Sequence, residues 1–139
     1  MKKHALFGAV LSIAVSSIAG CALAQPGPNP CNGGNCQVEV TVTGCTVSLD
    51  HPELHVARGS GTATIVWKIQ GGTFARDNGI YIKAGGDPGG QVTSVGPSGS
   101  TWVMAEKRTP GTKISYGINV LDSAGKACPP HDPTVVNDM

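Results

Sequence analysis

The chain has 139 residues, of which 14% are charged and 4% aromatic, with a formal charge of +1 at pH 7. Its charges are scattered and no basic stripe is interleaved with aromatics, which argues against a nucleic-acid partner or an anionic membrane surface. The 20 glycines and 10 prolines fall between apolar segments without a period, which argues against a collagen-like or disordered chain.

The chain opens with Lys2 and Lys3, then a short apolar run from Ala5 to Ala19, then the small-x-small triplet Ala22-Leu23-Ala24. This is the pattern of a secretory signal peptide over 1–24, and the run is too short for a membrane span. In a second reading Ile18-Ala19-Gly20-Cys21 is a lipobox, with cleavage before Cys21 and a lipid on that cysteine. Gln25 to Cys36 is rich in Pro, Gly and Asn and reads as a tail or a tether. Cleavage after Ala24 leaves 115 residues with eight basic and nine acidic side chains, enough for the single domain expected over 37–139.

From Val38 onward the apolar pattern has period two. Val38, Val40 and Val42 alternate with polar residues, as do Cys45, Val47 and Leu49. Leu54 and Val56 flank His55. Ala63, Ile65, Trp67 and Ile69 form the longest early run. Ile80 and Ile82 follow, then Trp102 and Met104, then Ile114 through Val120, and finally Thr134–Val136. Such alternation, rich in β-branched residues, predicts half-buried strands, and no segment has a helical period. Gly59-Ser60-Gly61, Asn78-Gly79, Gly85 to Gly90, Gly96 to Gly99 and Pro110-Gly111 punctuate the runs as turns. Pro110-Gly111 suits the centre of a type II turn joining a strand over Thr101–Glu106 to one starting at Lys113 as a hairpin, with Lys107 and Arg108 at its solvated tip. About seven to nine short strands predict an all-β, antiparallel β-sandwich of Greek-key type. Trp67 and Trp102 stand in register with aliphatic residues, which assigns them to the space between sheets rather than to a binding platform.

The stretch "LHVARGSGTATIVWKIQ" resembles the opening of a cupredoxin-like or immunoglobulin-like sandwich: a strand, a glycine corner, then a long strand with an inward tryptophan. It is also similar to small exported bacterial proteins of this architecture whose function is unknown. The resemblance spans roughly residues 37–136 and concerns the fold, which by itself implies no chemistry.

The segment after the signal holds Cys31, Cys36, Cys45 and Cys128, an even number suited to two disulfides in an oxidising compartment. Cys36 and Cys45 flank a strand, and nine extended steps separate them by roughly 30 Å, too far for a disulfide. Two arrangements remain. Cys31–Cys36 with Cys45–Cys128 closes the ring "CNGGNC" and clamps an early strand to the segment after the last long one. Cys31–Cys45 with Cys36–Cys128 requires the first strand to fold back as a hairpin.

The closing segment "ACPPHDPTVVNDM" holds Cys128, His131 and Met139, which with His55 (or His51) would supply the ligand types of a cupredoxin-like copper site. That reading needs a free thiolate, which an even cysteine count does not leave. It also places Met139 beyond a strand. In "HPELH", His51 and His55 would stand about 13 Å apart on a strand, too far to share one ion. Asp77-Asn78-Gly79 and Gly86-Asp87-Pro88-Gly89 lack the ligand alternation of a calcium loop and read as turns. No serine lies in a nucleophile-elbow context, and Pro97-Ser98-Gly99-Ser100 reads as a loop.

The sequence therefore predicts an exported, disulfide-stapled β-sandwich of structural or binding role, periplasmic or secreted, or lipid-anchored through Cys21. No cofactor is expected. The expected partner is a protein or cell-envelope ligand met through a sheet face, an edge strand, or the loops Gly71–Asp77 and Gly85–Gly90. A copper electron carrier and a small hydrolase with a dispersed site are the alternatives.

Overall fold

The computed structural model describes residues 31, 34–57 and 61–139; the expected signal segment, Cys21 and most of the tail lie outside them. The described residues are all-β, with no helix. Eleven strands run in chain order: β1 (Asn35–Thr43), β2 (Thr46–Leu49), β3 (Glu53–Val56), β4 (Ala63–Gln70), β5 (Gly72–Phe74), β6 (Ile80–Ile82), β7 (Val92–Ser98), β8 (Thr101–Glu106), β9 (Lys113–Ile118), β10 (Val120–Asp122) and β11 (Thr134–Asn137). A five-stranded sheet has the order β2-β1-β4-β8-β7, a four-stranded sheet the order β3-β11-β9-β6, and β10-β5 form a small ribbon.

Two neighbour pairs are parallel, β1 with β4 and β11 with β3. The sheets are therefore mixed, which corrects the expectation of a purely antiparallel fold. Parallel neighbours need a connection longer than a hairpin. Here β2 and β3 lie between β1 and β4 in the chain, and β11 returns from the far end to sit between β3 and β9.

The period-two runs bury alternate side chains as expected. Val38, Val40 and Val42 of β1, Ala63, Ile65 and Trp67 of β4, and Trp102 and Met104 of β8 point into one core with Leu54, Val56, Ile114, Tyr116, Ile118 and Val135 of the four-stranded sheet. Trp67 is fully buried and Trp102 is 4% exposed. Across the core the Trp67 indole N–H donates to the Tyr116 hydroxyl at 3.1 Å, with ring centroids 5.1 Å apart and planes tilted by 60°. Burial pushes the Tyr116 phenol well above its ordinary titration range, so it stays a neutral partner.

Three local expectations change. Gly96-Pro97-Ser98 belongs to the edge strand β7 rather than to a loop, and the reversal falls at Gly99-Ser100. A proline is tolerated there because an edge strand needs only one ladder. The run from Ile114 to Val120 divides at Asn119, where the chain leaves the four-stranded sheet. Asn119 N–H donates to Gly79 O (2.9 Å) and Asn119 O accepts from Ala75 N–H (2.9 Å), after which β10 pairs with β5.

The third change concerns Pro110-Gly111. The turn forms, with Thr112 N–H donating to Thr109 O at 3.3 Å and Gly111 at φ +74°, as the third residue of a type II turn requires. It does not close a hairpin, because β8 lies in one sheet and β9 in the other. Lys107 is exposed there as expected and Arg108 is half-buried, but the approach to the turn is not solvated throughout. Glu106 is fully buried, and its Oε2 accepts from the Arg108 backbone N–H at 2.8 Å and from Asn137 Nδ2 at 3.0 Å. A carboxyl group inside a core needs donors; the sheet-to-sheet crossing supplies two to Oε2, while Oε1 is buried without a hydrogen-bond partner.

Candidate binding groove

A groove lies where β4 outruns β8. The β4–β8 ladder ends at Trp67↔Trp102, while the β1–β4 ladder continues to Thr41↔Gln70. Beyond the Trp67↔Trp102 pair, residues of β4 and of the β7–β8 hairpin line a groove of about 940 Å³. Lys68, Ile69 and Gln70 form one wall, Pro97 and Gly99 to Trp102 the other, and Phe74 to Asp77 the mouth.

Backbone parity fixes what this wall presents. Thr64 N–H donates to Gly34 O at 2.7 Å, and Thr64 pairs with Asn35 in the parallel ladder. Backbone groups alternate sides along a strand. The even residues of β4, Lys68 and Gln70 among them, therefore turn their N–H and C=O to β1. The odd residues turn theirs towards β8. Ile69 is odd, and no backbone bond on the β8 side involves it among the described residues. Its N–H and C=O thus face the groove.

The side chains divide by the same alternation. Ile69 points inward and is partly buried against the core with Phe74, next to Trp102 at the groove's closed end. Lys68 and Gln70 point outward and are exposed. Gly71 ends the strand at φ +76°, and a Cβ there would collide with the Val42 carbonyl oxygen; only glycine allows the chain to leave β4 here and enter β5. Lys68 and Arg76 make no ion pair among the described residues. Glu39 lies opposite Lys68 in the ladder, and its carboxylate accepts from Gln37 Nε2 at 2.6 Å instead.

Other residues singled out from the sequence lie elsewhere. Disulfides join Cys31 to Cys36 and Cys45 to Cys128, with Cα separations of 4.3 and 5.0 Å. The sulfur of Cys128 is thereby bonded to Cys45 rather than held as a thiolate for copper. Among the described residues no group of three or more His, Cys, Asp or Glu is placed to hold a metal ion. His131 exchanges two backbone bonds with Ile118, and Met139 is 87% exposed. His51 lies 3.6 Å from Asp50.

His55 sits in a surface network on the four-stranded sheet. Its Nδ1 meets Asp138 at 2.8 Å and its Nε2 meets Glu53 at 3.2 Å, while Lys113 reaches Glu53 at 2.9 Å. The hydrogen bond to Asp138, more than that to Glu53, raises the His55 pKa above its ordinary 6.5, although desolvation partly opposes it. A raised folded-state pKa contributes stability that is fully present below the unfolded value of about 6.5 and is lost as pH rises through the folded value. The pair is about half exposed, so the contribution is below about 1 kcal/mol. An NMR titration should place the His55 midpoint above that of a free histidine, and Asp138→Asn should bring it down; an unchanged midpoint in the variant would remove Asp138 as the cause.

Of the surfaces expected from the sequence, the Gly71–Asp77 segment contributes to the groove and Gly85–Gly90 does not. The sequence pattern assigns Ile69 and Trp102 to packing alone and gives no role to Phe74. The available signal was the pair Gly71-Gly72 directly after an eight-residue strand, which marks a chain leaving a sheet before its neighbour is matched. No family model matches the chain, and a comparison with curated proteins gives no match.

Proposed function

We propose that the protein is an exported, non-catalytic binding module: a β-sandwich of immunoglobulin-like or cupredoxin-like Greek-key type that receives its ligand in the groove beside β4. The observation that carries this reading is the unpaired backbone of Ile69 lying above the apolar Ile69, Phe74 and Trp102. A concave site with an apolar floor and a few directed polar groups is the usual form of a ligand site. Two disulfides agree with residence outside a reducing cytosol. Export through the 1–24 segment places the module in the periplasm or medium, or on the envelope if Cys21 carries a lipid, where a protein or envelope ligand is at hand.

A two-dimensional amide NMR screen tests this. The isotope-labelled exported protein is mixed with pools of short peptides, oligosaccharides and cell-wall fragments. At least one pool should move the resonances of Lys68–Asp77 and Ser98–Trp102. Shifts confined to Gly85–Gly90 or to the outer sheet faces, or no pool that moves the groove resonances, would overturn the assignment.

A further inference from the structure

We propose that the groove takes the carboxyl end of an extended polypeptide, seated antiparallel to β4 with an apolar last residue opposite Ile69. This rests on the groove being the binding site and adds what fills it.

The sheet edges are poor places for strand addition. β2, β3 and β6 are edge strands of only 4, 4 and 3 residues. β7 carries Pro97 and a register shift between Val92 and Ser94. Short strands, prolines and bulges are the devices that block edge pairing. The open backbone at Ile69 is a single residue, but it carries no proline or bulge and it continues the paired β4–β8 ladder, and strand addition makes use of such an edge.

The register then fixes the details. In the β4–β8 ladder Ala63, Ile65 and Trp67 are the residues whose backbone groups face β8, so each exchanges both bonds with its partner. Ile69 is next in that series. A residue placed opposite it would give and accept one bond each, and its side chain would point to the same face as Ile69. That face is the core side, beside Phe74 and Trp102, which calls for an apolar side chain.

The direction follows from the shape. The groove closes where Trp67 pairs with Trp102 and opens past Gln70. A chain antiparallel to β4 runs the same way as β8, so its carboxyl side leads into the closed end. The β4–β8 ladder ends at Trp67↔Trp102, and the turn residue Ser100 makes no backbone bond to Ile69, so the incoming chain must stop opposite Ile69, short of Trp102. Its terminal carboxylate then falls on the Lys68 side. The Lys68 ammonium makes no ion pair among the described residues, and this exposed cation next to Ile69 supplies the charge complement. Arg76, Glu39 and Asp77 also line the groove, so its lining charges balance overall and the terminal carboxylate is favoured through the adjacent Lys68.

The test uses the hexapeptide Gly-Ser-Gly-Thr-Ser-Leu as free acid, the same peptide as its C-terminal amide, and a version extended by three serines so that leucine is internal. The free acid should move the Ile69 amide and the Trp102 indole resonances. The amide and the extended peptide should bind at least about tenfold more weakly, and Lys68→Gln, at an exposed position, should remove the difference between acid and amide. Equal binding of all three peptides, with Ile69 shifted, would overturn recognition of the terminus and leave the groove as a strand-binding site. Failure of the free acid to move Ile69 at about 1 mM would overturn the proposed occupant, while the mixed-pool screen decides on the groove itself.

Discussion

Replacing Cys45 and Cys128 together by alanine lowers the unfolding free energy by about 4–5 kcal/mol, and replacing Cys31 and Cys36 lowers it by only about 2, on the chain-entropy account of cross-links. The first disulfide spans 83 positions of sequence and the second spans 5, and a longer closed loop restricts the unfolded chain more. For a domain of this size the larger loss corresponds to roughly 15–30 °C in melting temperature. The clamp also has a local consequence. It ties the turn between β1 and β2 to the segment that follows β10 and leads to β11, and β11 is the only strand between β3 and β9. Amide exchange at Val135 and Asn137 should therefore accelerate more in the Cys45/Cys128 variant than exchange at Ile65 or Met104. Urea titrations of both variants under non-reducing conditions check the magnitudes. Equal losses would show that loop size is not the governing quantity and that the buried sulfurs of Cys31 and Cys36, 1% and 4% exposed, contribute by packing.

The strands were legible in the sequence wherever one face is buried. Val38 to Val42 and Ala63 to Trp67 alternate because every second side chain enters the core, and that constraint leaves a period of two. β7 was not legible for the same reason reversed. From Thr93 to Val95 all its side chains are exposed, so no alternation is imposed and Pro97 reads as a turn. Strand direction was also hidden, since side-chain period is the same in parallel and antiparallel ladders, and β1 lies parallel to β4 without any mark in either sequence. The cysteine pairing was accessible in part: the length of β1 forbids Cys36–Cys45 and leaves two arrangements, of which the structure has Cys31–Cys36 with Cys45–Cys128. Glu106 shows the opposite case. Next to Lys107 and Arg108 it reads as solvated, and one of the two donors to its Oε2 is Asn137, which arrives from the other end of the chain. The groove depends on the same kind of non-local fact. Ile69 looks like one more core residue, and its open backbone exists because β8 stops one pair short of it.

Replacing Trp67 by alanine should cost about 3–5 kcal/mol, the range for removing a large aromatic from a packed core. Trp67 is fully buried and belongs to the five-stranded sheet, while Tyr116 belongs to the four-stranded one, so the contact is between sheets. Tyr116→Phe separates hydrogen bonding from packing. It keeps the ring and leaves the Trp67 indole N–H buried without its acceptor, a loss of about 1–3 kcal/mol. Trp67→Phe removes the donor and part of the ring volume. In the double Phe variant neither polar group remains to be left unpaired. Its loss should therefore fall short of the sum of the two single losses by about 0.5–3 kcal/mol, the coupling range for residues in contact. The tilted ring pair adds about 0.5–1.5 kcal/mol to what area burial gives, and Trp67→Ala removes that as well. Denaturant titrations of the four proteins give the cycle directly. Strict additivity would mean that the two side chains act on stability separately, and that the sheets are held together by the surrounding aliphatic residues rather than through this hydrogen bond.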